Sequence, residues 1–133
     1  MDVNRSMPSS VVIPELPYLD VRAAVEWLCR SFGFVERLRI GDHRAQLLFG
    51  QGSVIVTGQG NGPGTSSLLV RVDDINSHYE HAKQAGARIV SPPADYPYGE
   101  RQYTVEDLGG HRWIFSQTIA DVDPKSWGGT LFK

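Results

Sequence analysis

The sequence presents the same order of structural signals twice, and this internal repeat limits the fold more than any other feature. The first half opens with an apolar extended stretch over residues 11–19, followed by Asp20 and by apolar residues at helical spacing between Val21 and Phe32. Three short strand-like runs, separated by glycine-containing turns, come after Gly33. This half is therefore predicted to fold as β-α-β-β-β.

The second half repeats that order from Ser67 onward. An apolar run leads into Asp73 and Asp74, a pair typical of a helix N-cap, and a helical pattern and three further strand-like runs follow. Placing Ile13 over Ser67 also places Asp20 over Asp74 without a gap. The sequence thus predicts an α+β fold built from two tandem βαβββ modules.

The same signals divide the chain into segments. We expect one domain over residues 11–117, because both modules are needed to complete the repeat. The predicted boundaries are 1–10 for a disordered leader, 11–58 for module one, 59–66 for a glycine-rich linker, 67–117 for module two and 118–133 for a C-terminal extension.

Composition and charge exclude several classes of protein. The chain has 13 basic and 15 acidic residues, a formal net charge of −2, and no basic stripe of the kind that binds nucleic acid. No apolar run approaches the roughly 20 residues that a membrane-spanning helix needs. The single cysteine, Cys29, has no partner within the chain for a disulfide or a thiolate cluster. We expect a cytoplasmic protein that binds neither membranes nor nucleic acid.

Three phrases in the sequence resemble a known family. Residues 19–28, followed by 32–34, are similar to that family's first helix and the strand after it. Residues 72–75 with 85–87, and residues 106–111, are similar to its second module. The family is the vicinal-oxygen-chelate superfamily, which includes glyoxalases, bleomycin-resistance proteins and extradiol dioxygenases. The resemblance covers roughly residues 11–117. It implies that each module forms half of a curved sheet around a cavity, and that two chains pair as a homodimer.

The resemblance also identifies positions at which members of this superfamily usually bind a metal. One ligand comes from the first strand and one from the last strand of each module, and here these positions fall on Ile13, Val56, Ser67 and Ile114. Aliphatic side chains and a neutral hydroxyl supply neither the imidazole nitrogen nor the carboxylate oxygen that divalent metals need. A shift of one residue along the strands brings in no His or Glu. We therefore expect no metal and no other cofactor.

Period-two alternation from these positions predicts the residues that line the cavity. It adds Val11 and Glu15 in the first strand, Val54 beside Val56, Leu69 and Arg71 after Ser67, and Arg112 and Ser116 around Ile114. The loop over 96–101 resembles one that covers the cavity in related proteins. The predicted ligand-binding residues are Glu15, Val56, Ser67, Leu69, Arg71, Tyr98, Arg101, Arg112 and Ile114.

Two histidines one helical turn apart offer an alternative metal site, since His78 and His81 could bind one ion. The helix is expected to pack Ile75, Tyr79 and Ala82 on the sheet, which favours the simpler interpretation that both histidines lie at the surface.

A mainly aliphatic wall with a few polar groups is typical of small-molecule sites. Our hypothesis is a metal-free protein that binds and sequesters an aromatic or hydrophobic compound, as antibiotic-sequestering members of the superfamily do. One alternative is a lyase, isomerase or dioxygenase with a relocated metal site, or with metal-independent chemistry at Glu15, Arg71 or Tyr98. Another is a regulatory or interaction protein that has repurposed the cavity. The sequence assigns no catalytic residue.

Overall fold

The structure, a computed structural model, describes residues 4–10, 12–58 and 66–131. Val11 and most of the predicted linker over 59–66 lie outside the described residues, as do the first three residues of the predicted leader and the last two of the extension. The chain falls into two compact units by its contacts. The first contains residues up to Ser66 together with Asp107–His111, and the second contains Ser67–Glu106 together with the chain from Arg112 onward.

The first unit contains one helix and one four-stranded sheet. Its elements are β1 (Glu15–Tyr18), α1 (Val21–Phe32), β2 (Val35–Ile40), β3 (Arg44–Phe49) and β4 (Gly52–Gly58). The strand order is β1-β4-β3-β2, in which β1 runs parallel to β4 and the other neighbours are antiparallel.

The second unit repeats this arrangement. Its elements are β5 (Ser67–Arg71), α2 (Ile75–Gln84), β6 (Arg88–Tyr96), β7 (Glu100–Glu106) and β8 (Arg112–Thr118). The strand order is β5-β8-β7-β6, with β5 parallel to β8. A 3-10 helix over Pro124–Trp127 follows in the C-terminal segment. The prediction of an α+β fold with two βαβββ modules is confirmed.

Helix α1 has the local signals that favour a helix at both ends. The Asp20 side chain accepts a hydrogen bond from the backbone N–H of Ala23 at 3.1 Å, which satisfies a donor of the first turn. Gly33 ends the helix with a φ of 86°, a left-handed conformation that favours glycine. The buried face of the helix consists of Val21, Ala24, Val25, Leu28, Ser31 and Phe32.

The turn over Asp107–His111 is fastened to β1 inside the first unit. The Tyr18 hydroxyl donates to Asp107 Oδ2 at 2.5 Å, and His111 Nε2 donates to the carbonyl of Pro17 at 2.8 Å. The other nitrogen of His111 accepts from the backbone N–H of Ser66 at 3.1 Å. Burial raises the pKa of Tyr18, with a further contribution from Asp107. His111 therefore has a structural role, because both ring nitrogens have a partner and the side chain is fully buried.

Each sheet has a side that packs on its helix and a side that faces away from it, the helix-distal face. In the first sheet, Arg22 of α1 binds Glu36, so Glu36 and its strand partner Leu47 lie on the helix side. In the second sheet, His78 and Tyr79 of α2 contact Tyr103, which identifies the helix side there. Alternate residues of each strand belong to the helix-distal faces.

No helix within the described ranges is long and apolar enough to cross a membrane.

Candidate functional site

The second sheet brings five of the predicted ligand-binding residues to its helix-distal face. Strands β5 and β8 pair so that Leu69 lies beside Ile114, Ser67 beside Arg112, and Arg71 beside Ser116. Leu69 is 59% exposed, which is high for a large apolar side chain in the middle of a strand. The centre of this face is therefore apolar, with an arginine towards each end.

Glu100, a carboxylate outside the predicted set of ligand-binding residues, organises the Arg71 end of this face. Its two carboxylate oxygens accept hydrogen bonds from the hydroxyls of Ser116 and Thr118, both at 2.6 Å. Those two hydrogen bonds, together with the charge of Arg71, hold the pKa of Glu100 below its usual range. Glu100 is consequently a carboxylate at neutral pH.

Arg71 is connected to this carboxylate through the hydroxyl of Thr118 and remains largely exposed. Its Nη1 atom donates to Thr118 Oγ1 at 2.5 Å and lies 4.0 Å from Glu100 Oε1. The Arg71 side chain is nevertheless 67% exposed. The geometry therefore fixes the guanidinium group while it leaves much of its surface accessible to an anionic or carbonyl-bearing ligand.

An aromatic cluster lies next to the polar network. The rings of Tyr96 and Tyr98 stack with centroids 5.5 Å apart, and Trp127 contacts Tyr98 edge-on at 5.7 Å. The Tyr98 hydroxyl donates to Gln102 Oε1 at 3.2 Å, and the amide of Gln102 donates to Ser116 Oγ at 3.1 Å. The three rings of the cluster are each partly exposed. Tyr98 is thus connected by hydrogen bonds to the same face as Arg71.

The opposite end of the face carries a second charged group. Glu106 lies 3.5 Å from Arg112 and 3.6 Å from Arg88, so one carboxylate pairs with two guanidinium groups. Both arginines are well exposed, which makes their contribution to stability small. This end carries one net positive charge.

Three predicted residues do not join this group. Arg101 alternates with Gln102 and so belongs to the helix side of β7, where it forms an ion pair with Asp95 at 2.6 Å. That ion pair raises the pKa of Arg101 and lowers the pKa of Asp95. Glu15 belongs to the first unit and pairs with Arg44 at 3.3 Å. Val56 also belongs to the first unit.

The register that was predicted for β4 is wrong by one residue. Val56 pairs with Ala45 and Leu16 and is fully buried on the helix side, whereas Ile55 lies opposite Glu15 on the helix-distal face. Val56 lies four residues after Gly52 and Ile114 lies four residues after Gly110, so the predicted pair of positions treats the two glycines as equivalent. They are not, because Gly52 is itself paired in β4, while Gly110 lies inside a longer turn.

The residues at the superfamily's metal positions do not fit a metal ion. With Ile55 in place of Val56, the set is Ile13, Ile55, Ser67 and Ile114, which contains neither imidazole nor carboxylate. Across the described parts of the chain, no group of three or more His, Cys, Asp or Glu side chains could hold an ion. That the protein works without a metal stays a prediction.

The expectation for His78 is wrong, while His81 is exposed as expected. His78 is half-buried, and its Nδ1 atom lies 2.6 Å from the hydroxyl of Tyr103, on the helix side of the second sheet. Its ring also packs on Phe115 at 4.1 Å. The helical stripe is therefore wider than the predicted one, and it includes an imidazole that packs on two aromatic rings.

The match to a family model agrees with the two repeated βαβββ units. The model of the Glyoxalase/Bleomycin resistance protein/Dioxygenase superfamily matches residues 11–115. The chain belongs to this superfamily.

Individual relatives give further detail. TioX from Micromonospora sp. ML1 is 38% identical, has a TM-score of 0.73, and is matched over 86% of this chain and 100% of its own. TnmS3, an antibiotic binding protein from Streptomyces sp. CB03234, is 23% identical with a TM-score of 0.72, over 83% of this chain and 96% of its own, and this likeness shows the fold alone. An uncharacterized protein of Mycobacterium tuberculosis (strain ATCC 25618 / H37Rv) is 27% identical over 83% of this chain and 75% of its own.

Proposed function

We propose that this protein binds a small aromatic molecule carrying a carboxylate, phenolate or carbonyl group on the helix-distal face of the second sheet, and sequesters it unchanged. The observation that carries the proposal is Arg71, a fixed and largely exposed guanidinium group beside an exposed leucine. The proposed contacts are Leu69, Arg71, Tyr98 and Ile114, with Ser67 and Arg112 towards the other end of the face.

The surroundings of Arg71 support an anionic or carbonyl-bearing ligand. Glu100 and Thr118 hold one edge of the guanidinium group, so little side-chain entropy is lost when a ligand accepts hydrogen bonds from the rest. Leu69 and Ile114 supply apolar surface, which contributes roughly 25 cal/mol per Å² when it is buried. Tyr98 offers an exposed ring on which an aromatic ligand can stack.

Sequestration is favoured over catalysis by the composition of the face. The only carboxylate near Arg71 that the described contacts identify, Glu100, accepts hydrogen bonds on both oxygens and has a lowered pKa, which makes it a weak base. The fold shared with an antibiotic binding protein supports the same proposal. We also propose that the protein is a cytoplasmic homodimer that needs no metal and does not bind nucleic acid.

The experiment compares matched ligands and matched arginine variants. A set of aromatic carboxylates and their methyl esters is screened for thermal stabilisation, because a ligand that binds only the folded state raises its stability. Arg71→Ala should weaken the binding of the carboxylates by about 1.5–3 kcal/mol, the range for hydrogen bonds to charged groups. The affinity for the esters should change by no more than about twofold. Arg101→Ala is the control, since Arg101 lies on the other side of the same sheet, where it pairs with Asp95.

Two results would contradict the proposal. Equal weakening of acids and esters by Arg71→Ala would mean that Arg71 shapes the site without recognising charge. Mass spectrometry of the recovered ligand provides the second check, because a chemically altered compound would indicate an enzyme rather than a sequestering protein.

A further inference from the structure

Strand β2 contains a bulge that redirects one arginine side chain. Glu36 pairs with Leu47 and Leu38 pairs with Gln46, so Arg37 is an extra residue without a partner in the ladder. A bulge of this kind changes the direction in which a side chain points. Here the Arg37 Nη1 atom donates to Gln46 Oε1 at 2.7 Å, which places the guanidinium group beside the Gln46 amide.

Arg37 and Gln46 together bind two consecutive backbone carbonyls of residues near the start of the chain. Arg37 Nη2 donates to the carbonyl of Arg5, and Gln46 Nε2 donates to the carbonyl of Ser6, each at 2.8 Å. Gln46 is only 3% exposed, so both ends of its amide have partners in a nearly dry environment. Because the contacts go to main-chain oxygens, they do not depend on the side chains of residues 5 and 6.

The bound residues form a short segment with further attachments. Pro8 is buried, and the Ser10 hydroxyl donates to the carbonyl of Gln51 at 2.8 Å in the turn between β3 and β4. We call residues 4–10 the leader segment. Gln46 lies opposite Ile55 on the helix-distal face of the first sheet, so the leader segment is fastened to the face that is not covered by α1.

We propose that Arg37 and Gln46 form a binding site for peptide-like molecules, which recognises two neighbouring amide carbonyls and which the leader segment occupies in cis. The guanidinium of Arg37 and the carboxamide of Gln46 each donate to one of two consecutive carbonyls, and the buried Pro8 adds an apolar position two residues further along. The ligand class is a peptide that adopts the same turn as the leader segment, in which the backbone N–H of Met7 donates to the carbonyl of Asn4 at 3.1 Å. This inference concerns the first unit and does not depend on the function proposed for the second sheet.

Because the leader segment belongs to the same chain as the site, it competes strongly with any peptide in solution. A segment joined to its site by a short flexible connection acts at an effective concentration on the order of millimolar. A peptide in solution therefore binds detectably only at a comparable concentration, or when the leader segment has been released.

The first experiment measures how firmly the pair holds the leader segment in the full chain. Trypsin cleaves after arginine, and the bond between Arg5 and Ser6 lies between the two bound carbonyls. Arg37→Ala and Gln46→Leu should each speed cleavage at this bond by about tenfold or more, as expected for the loss of a hydrogen bond to a charged or buried group. Arg39→Gln is the matched control, because Arg39 is on the same strand but pairs with Glu36.

The second experiment tests binding of a separate peptide to the full chain. Pro8→Asp should release the leader segment, because a charge is poorly tolerated at a buried position. An acetylated and amidated peptide with the sequence of residues 4–10 should bind this variant, followed by NMR, at least about tenfold more tightly than it binds the unmodified chain, given the millimolar effective concentration of the tethered segment. A peptide with alanine in place of Arg5 and Ser6 should bind equally well, whereas adding Gln46→Leu to the Pro8→Asp chain should abolish binding.

Each outcome decides the proposal. Unchanged cleavage rates in both Arg37→Ala and Gln46→Leu would show that the pair does not hold the leader segment. Absence of peptide binding to Pro8→Asp, or equal binding with and without Gln46, would show that the pair is a structural clamp and no ligand site.

Discussion

Glu36 is the carboxylate whose pKa the surroundings lower most clearly. Arg22 binds both of its oxygens, at 2.7 and 2.9 Å, and Arg39 approaches to 3.3 Å. The hydrogen bonds from Arg22 contribute most, and together these groups lower the pKa of Glu36 from 4.5 to about 2. Because the folded-state pKa is depressed, the stabilisation is complete above the ordinary pKa and is lost as the pH falls towards 2.

This shift predicts a pH-dependent effect of one substitution. Glu36→Gln removes the charge that Arg22 binds and should lower the free energy of unfolding at pH 7 by on the order of 2 kcal/mol. The loss is not larger because the ion pair is partly exposed and solvent weakens it. The same variant should differ little from the unmodified chain near pH 2. Urea denaturation across this range measures the difference, with Glu80→Gln, at an exposed position on α2, as the control. A constant difference at every pH would mean that packing, rather than charge, is responsible.

The side to which a residue points could be predicted only where its strand alternates. In β5 the exposed and half-buried residues alternate, and the predicted positions of Ser67, Leu69 and Arg71 on one face agree with the register. In β4 the run Ser53–Val56 is buried on both sides, so periodicity contains no information about the direction of Val56. Arg37 was missed for a related reason, since a bulge interrupts the alternation without a signal in the sequence.

Among the helices and strands, the N-cap of α1 gives a direct test of how much one side-chain hydrogen bond stabilises its element. Asp20→Ala removes the side-chain acceptor for the N–H of Ala23 and should lower the free energy of unfolding by about 1 kcal/mol. Asp20→Asn should retain most of the stability, because asparagine caps helices about as well as aspartate. Chemical denaturation of the two variants and of Asp42→Ala, in an exposed turn, gives the comparison. Equal losses for Asp20→Ala and Asp20→Asn would point to the charge and not to the cap.

The order and type of the elements could be predicted because their signals are local. Caps such as Asp20 and Asp74, and Gly33 after α1, lie next to the residues that they affect. Strand pairing could not be predicted in the same way, since β1 pairs in parallel with β4 and β5 with β8, across long separations in sequence. Glu100 was overlooked for this reason, because only the pairing of β7 with β8 places it beside Ser116 and Thr118.

At the scale of the whole molecule, we expect a homodimer. Several large apolar side chains outside the proposed ligand-binding face remain exposed in the single chain, among them Val12, Leu19 and Val35. Exposed apolar groups favour association, and twofold pairing is the commonest form of it. Light scattering at micromolar concentration should give twice the mass of one chain, and a mass equal to that of one chain would contradict the prediction.

The membership of Asp107–His111 in the first unit has a consequence for the time course of synthesis. When the ribosome has released residues up to Ser66, the partner of the Tyr18 hydroxyl and the imidazole that binds the Pro17 carbonyl have not yet been made. At a translation rate of about 5–20 residues per second, that delay lasts several seconds. During this interval the Tyr18 hydroxyl and the Pro17 carbonyl of the nascent first unit lack the hydrogen-bond partners that they have in the complete chain. The first unit is therefore complete only after residues 107–111 have been synthesised, so a ribosome that stalls before residue 107 leaves an unfinished core for chaperones or proteases to bind.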